Sequence, residues 1–110
     1  MKNPNILLII SDHLSTRVVG AYGEGTGCTP AIDSVAARGT ILANAYTACP
    51  LCMPSRAAFW TSRYPHQTRV ESNGRKHVNG PLPADLPTVG THFREAGYRC
   101  VHFGKTHDFG

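Results

Sequence analysis

The sequence predicts an α/β fold, a partial parallel sheet with flanking helices. Three observations carry that expectation. Ile6-Leu7-Leu8-Ile9-Ile10 is a continuous apolar run, as in a central parallel strand covered on both faces. Strand-like and helix-like stretches then alternate along the chain, which argues for parallel strands joined by crossovers. Finally, 110 residues with 41% hydrophobic content suit one small globular domain, and the chain has no internal repeat or low-complexity tract.

Each element has a local reason. The first strand ends at Ser11-Asp12-His13, and residues 14–28 read as a loop punctuated by Gly20, Gly23, Gly25 and Gly27. Thr29 reads as a cap and Pro30 as a helix-starting proline, so a short helix is expected over residues 31–38, closed by Gly39. Residues 40–45 suit a second strand. Pro54 has a helical φ and no N–H, so it suits a first turn, with Cys52 just ahead of the helix. Ala57, Ala58, Phe59 and Trp60 continue that helix, and Tyr64-Pro65 should end it. Residues 66–87 are polar and rich in Gly and Pro and read as a long surface loop. A helix follows over residues 88–96, with Val89, His92, Phe93 and Ala96 at helical spacing and Gly97 as its stop. Residues 99–103 are a third strand.

The chemistry concentrates at Cys52-Met53-Pro54-Ser55-Arg56, continued to Thr61-Ser62-Arg63. A helix N-terminus offers unpaired N–H groups and a dipole that favours negative charge. Arg56 follows Cys52 by about one helical turn, so its guanidinium can return toward the same anion. In an open α/β sheet, ligands bind outside the carboxyl ends of the strands. Asp12 stands at the end of the first expected strand, and Lys105 and His107 stand at the end of the third. Positions two apart on extended backbone point to one side, which would turn Lys105 and His107 toward one site.

A competing reading starts from Cys49-Pro50-Leu51-Cys52, a C-x-x-C that can mark a redox pair or half of a zinc site. Zinc would need Cys28 or Cys100 through the fold, with His102 or His107. That reading leaves Pro54-Ser55-Arg56 unexplained. The plainest view of Cys28 and Cys100 is as small apolar residues.

Composition narrows the setting. A net charge of +4 with a pI near 9.1 is a mild basic bias. No basic run is denser than Arg75-Lys76, and no aromatic residues interleave with basic ones, so a nucleic-acid groove is not expected. No segment has the length to span a membrane. Lys2 followed by an apolar run imitates an export signal, but that run is shorter than an h-region. The default expectation is therefore a cytoplasmic location, with a periplasmic or secreted one as the alternative should sequence precede residue 1.

The Cys52 run resembles the C-x-P-S-R-x-x-x-x-T-x-R signature of type I sulfatases, members of the alkaline phosphatase superfamily. Asn5 to Asp12 is similar to the family's opening strand with its metal-binding aspartate. Gly20-Ala21-Tyr22-Gly23 is similar to G-x-Y-G, and Thr29-Pro30-Ala31-Ile32-Asp33 with Ala37-Arg38-Gly39 to its T-P-N-I-D helix. Asn44-Ala45-Tyr46 precedes the signature, and Gly97-Tyr98-Arg99 with Gly104-Lys105-Thr106-His107 resembles the K-x-H segment. The resemblance runs from about residue 4 to the last residue, with every motif in family order.

That resemblance implies a sulfuric ester hydrolase in which Cys52 is converted to formylglycine by a formylglycine-generating enzyme. One hydroxyl of the aldehyde hydrate, aligned by a divalent cation held by Asp12 and the modified residue 52, would attack the sulfur as the alcohol leaves; loss of a proton from the second hydroxyl would then break the C–O bond to sulfate and regenerate the aldehyde. Calcium is the first expectation for the cation, with magnesium or manganese as alternatives. Arg56 and Lys105 would neutralise developing charge, and His107 would position a formylglycine hydroxyl or assist its proton loss; Lys105 and His107 would also bind substrate. The substrate would be a small-molecule or carbohydrate sulfate ester.

The chain departs from the pattern in places. His13 stands where many sulfatases have a second aspartate, and could ligate the metal, hydrogen-bond substrate or cap a loop. Thr106 and Asp108 replace Trp and Leu of K-W-H-L-G, and Ser62 replaces the glycine of T-G-R. The single acid at Asp12 suits a phosphonate monoester or phosphodiester hydrolase of the same superfamily as an alternative. The family's remaining metal ligands lie in later sequence, so residues 1–110 are expected to be the N-terminal piece of a catalytic domain, incomplete and inactive alone. A non-catalytic fragment is the remaining alternative.

Overall fold

The computed structural model describes residues 3–23, 25–73 and 82–106. Two compact units make up the chain, Met1–Ala45 and Tyr46–Gly110.

In the first unit, residues 14–28 are more ordered than the glycine-punctuated loop expected from sequence. Two 3-10 helices occupy Thr16–Val18 and Gly20–Tyr22. The Ser15 hydroxyl accepts from Arg17 N, and Gly23 closes the second turn at φ 89°, a conformation that favours glycine. Helix α1, Pro30–Ala36, begins at proline as expected and packs on the second 3-10 turn. Thr29 does not use its hydroxyl as a cap. That oxygen instead accepts from Gly20 N at 3.0 Å and donates to Asp33 Oδ1 at 3.0 Å, while Ala21 N donates to the same carboxylate oxygen at 2.8 Å. A Cβ on Gly20 would lie 2.6 Å from Asp33 Oδ2. The separate Gly20-Ala21-Tyr22-Gly23 and Thr29-to-Asp33 motifs are therefore two halves of one hydrogen-bonded turn.

The second unit is built on α2, Cys52–Thr61, with α3, Pro65–Thr68, and α4, Val89–Glu95, packed against it. Pro54, Ala57, Ala58 and Thr61 are the buried residues of α2, spaced as one helical stripe. All four are small, which lets neighbouring backbone come close. Thr61 satisfies its buried hydroxyl by donating to Ala57 O at 2.7 Å. The helix ends at Ser62, in the left-handed region at φ 56°, and not at Tyr64-Pro65. Proline signals a stop for the preceding helix and a start for the next; here it opens α3, with Tyr64 N donating to Gln67 Oε1 at 2.9 Å.

Helix α4 follows its sequence signals closely. Thr88 caps it by accepting from Thr91 N, and Gly97 adopts φ 85° beyond its end. Phe93 and Tyr98 meet edge to face with centroids 5.2 Å apart. Val89 and Phe93 are half-buried, whereas His92 is exposed and lies 3.6 Å from Glu95.

The expected parallel sheet is not formed among the described residues. Residues 6–10, 40–45 and 99–103 are not in strands and make no backbone ladder. A strand exists only where a neighbour meets its N–H and C=O groups, and composition cannot supply that neighbour. Without it the apolar side chains stay at the surface, with Leu7 84%, Ile9 81% and Phe103 90% exposed. Among the described residues, no helix is long and apolar enough to cross a membrane.

Candidate active site

Cys52 is the first residue of α2, inside the helix rather than ahead of it as Pro54 had suggested. Proline is tolerated throughout a first turn, so it fixes the start only to within a turn. At about 100° per residue, Cys52, Ser55, Arg56 and Phe59 fall on the face opposite the buried stripe. Cys52, Ser55 and Arg56 are each half-buried. The C-x-x-x-R spacing thus sets a thiol and a guanidinium on one accessible face of a helix whose other face is locked by packing.

Hydrogen bonds hold that face in position. Arg56 Nη1 donates to Lys105 O at 3.0 Å, which ties the end of the third expected strand to α2. Trp60 and His102 meet edge to face at 5.6 Å one turn further along. At the start of the helix, Leu51 is the N-cap and has no side-chain oxygen; Met53 N donates instead to Asn73 Oδ1 at 2.8 Å. Thr47 Oγ1 donates to Cys49 O, accepts from Cys49 N and lies 3.1 Å from Ser55 Oγ. Sequence reasoning singled out neither Asn73 nor Thr47. Asn73 partners Met53 from 20 residues away, beyond the reach of any local capping pattern.

The other expected site residues fall as follows. Lys105 is exposed and joined to Arg56 through its carbonyl. Asp12 and His13 belong to the first unit, both exposed, with His13 at φ 62°. A left-handed conformation costs a non-glycine residue on the order of 1 kcal/mol and recurs at functional sites. His107 and Asp108 lie outside the described residues.

All four cysteines are free. Cys28 and Cys100 are exposed, and Cys100 Sγ lies 3.7 Å from Gly90 O. Neither Cys49 nor Cys100 joins a group of side chains able to hold a metal among the described residues, and His102 is engaged with Trp60.

The chain superposes on the crystal structure of a sulfatase from Bacteroides thetaiotaomicron with a TM-score of 0.82, at 60% identity, covering 88% of this chain and 21% of that one. A 2-O GAG sulfatase structure matches equally, with the same identity, coverage and TM-score. Over the matched residues the fold is therefore that of the sulfatases, an alkaline-phosphatase-like fold. The chain belongs to the Sulfatase family, whose profile matches residues 4–110. A Delta 4,5-hexuronate-2-O-sulfatase of Bacteroides thetaiotaomicron is 58% identical over 109 residues, which is 99% of this chain and 23% of the relative. Human steryl-sulfatase is 40% identical over 110 residues, 94% of this chain and 19% of the relative. The chain thus spans about a fifth of the length of these relatives.

Proposed function

We propose that this chain is the N-terminal part of a sulfatase catalytic domain that hydrolyses a carbohydrate sulfate ester, with Cys52 as the residue converted to formylglycine. One observation carries the reading. Cys52 opens a helix with Arg56 on its face and Lys105 bonded to Arg56, within a family signature intact from Cys52 to Arg63. The 58% identity to a hexuronate 2-O-sulfatase favours a sulfated, uronic-acid-containing sugar over a sterol. It equally disfavours the phosphonate and phosphodiester alternatives.

The residues have separable tasks. An aldehyde hydrate at position 52 would supply one hydroxyl as the nucleophile that displaces the alcohol from sulfur, and a second whose proton loss expels sulfate by C–O cleavage and restores the aldehyde. The N–H groups at the start of α2 favour negative charge beside that position. Arg56 holds a sulfate oxygen through its planar fork while its Nη1 stays anchored on Lys105 O. The Lys105 ammonium balances charge on the sulfuryl group or the leaving oxygen. His107 takes or returns a proton at the hydroxyls of residue 52.

The donor chemistry fits a hard cation. Asp12 offers carboxylate oxygen and the modified residue 52 a hydroxyl oxygen, the donor type of calcium or magnesium. His13, strained at φ 62° beside Asp12, is a candidate further ligand. Such a cation supplies Lewis-acid polarisation of the sulfuryl oxygens. We also read residues 6–10, 40–45 and 99–103 as strands of the family's parallel sheet, because their exposed apolar side chains suit strands covered on both faces.

The test is to express the full-length protein with a formylglycine-generating enzyme, peptide-map residue 52 and assay 2-O-sulfated unsaturated uronides beside steryl and aryl sulfates. An aldehyde at residue 52 with release of inorganic sulfate from the uronide is the expected result. Full conversion to the aldehyde without release from any sulfate ester would overturn the reading.

A further inference from the structure

We infer that Asn73 is a positioning residue for position 52, acting through the main chain of α2; the inference rests on the sulfatase reading for its catalytic consequence. Helix α2 begins at Cys52 behind a leucine that cannot cap it. The first turn of any helix leaves N–H groups without intrahelical partners, and their alignment depends on what accepts from them. Here the described acceptor is Asn73 Oδ1, 2.8 Å from Met53 N, on the residue directly after Cys52.

The route by which Asn73 reaches that point is itself built. After α3, Arg69 turns the chain through φ 61°. Thr68, fully buried, donates to Pro65 O and accepts from Val70 N. Val70, 4% exposed, is then packed in the core. These contacts aim residues 71–73 back at the start of α2, so the capping side chain arrives from a fixed stem. A leucine N-cap together with a distant asparagine couples the orientation of residue 52 to the α3 turn. A local Ser or Asp cap would give a helix start of equal stability without that coupling.

In the full-length, formylglycine-bearing protein, Asn73→Ala should lower kcat on an accepted sulfate ester by on the order of tenfold. KM should stay within about twofold, because substrate contacts are untouched. Amide exchange at Met53 should accelerate, while exchange at Val70 and the unfolding midpoint stay near wild type. Asn73→Asp keeps an acceptor oxygen and should restore both slow Met53 exchange and most of kcat. Wild-type kcat in Asn73→Ala, or a loss that follows the unfolding midpoint and is not recovered by Asn73→Asp, overturns the proposal. If the wild-type protein hydrolyses no sulfate ester, the sulfatase reading fails; Met53 exchange then decides alone, protection that does not change in Asn73→Ala refuting the positioning role.

Discussion

Arg56 and Lys105, 49 residues apart, are joined by a 3.0 Å hydrogen bond from the guanidinium to the lysine carbonyl. The bond uses the main chain of Lys105 and leaves its ammonium to other partners. One arginine can therefore anchor the segment that carries Lys105 while presenting its remaining donors beside residue 52. Arg56→Lys should separate these duties, because an ammonium keeps the charge but lacks the planar fork. A fall in turnover of about 10²- to 10³-fold is expected for Arg56→Ala, and a substantial fall for Arg56→Lys despite the conserved charge. Steady-state kinetics on the full-length protein decide; near-wild-type turnover in Arg56→Lys would show that charge alone matters.

The two faces of α2 predict opposite phenotypes. Cys52 is half-buried on the accessible face, whereas Ala57 is fully buried in the packed stripe. Cys52→Ala should abolish sulfate ester hydrolysis while changing stability by less than about 1 kcal/mol. Ala57→Leu should cost about 1–3 kcal/mol by overpacking, with lost activity traceable to unfolding. Denaturant midpoints measured beside turnover separate the cases. Retained hydrolysis in Cys52→Ala, in a preparation free of host sulfatase, would sink the proposed chemistry.

What the sequence made legible was local. Thr88 and Gly97 bracket α4 because a cap and a left-handed glycine act within one turn of themselves. The shared face of Cys52 and Arg56 follows from helical periodicity alone. The 3-10 turns at Thr16–Val18 and Gly20–Tyr22 were hidden because glycine marks a turn without saying which kind. Helix α3 was hidden because Pro65 is both a stop and a start. The bonds from Met53 N to Asn73 and from Arg56 to Lys105 were beyond reach, since each joins residues with no common periodicity. The family resemblance alone points to Lys105 and Asp12 as candidates, since their exposed local surroundings would pass for ordinary surface.

The Asp33 carboxylate makes the first unit's turn a sharp test of motif physics. Its Oδ1 accepts from Ala21 N and Thr29 Oγ1, so Asp33→Ala removes two bonds and strands two donors. A loss of about 1–3 kcal/mol is expected. Asp33→Asn retains an acceptor oxygen and should lose less. Gly20→Ala should also destabilise, since its Cβ would press on the carboxylate. Equal destabilisation by the alanine and asparagine variants at 33 would mean that the negative charge, and not the acceptor, holds the turn.

Asp12 yields the prediction that bears most directly on the metal. It is an exposed carboxylate followed by a histidine in a left-handed conformation. If that carboxylate helps to hold a hard cation, chelation of the full-length protein should remove turnover, and calcium or magnesium should return it more fully than zinc. Asp12→Asn keeps the oxygen but loses the charge, so the metal concentration for half-maximal activity should rise by tenfold or more, an effect of about 1.4 kcal/mol. His13→Ala distinguishes a ligand from a strained turn. A ligand's loss raises the metal requirement as Asp12→Asn does, whereas His13→Gly relieves φ 62° and should leave stability equal or improved. A metal requirement unchanged by both Asp12→Asn and His13→Ala would remove this end of the first unit from the catalytic centre.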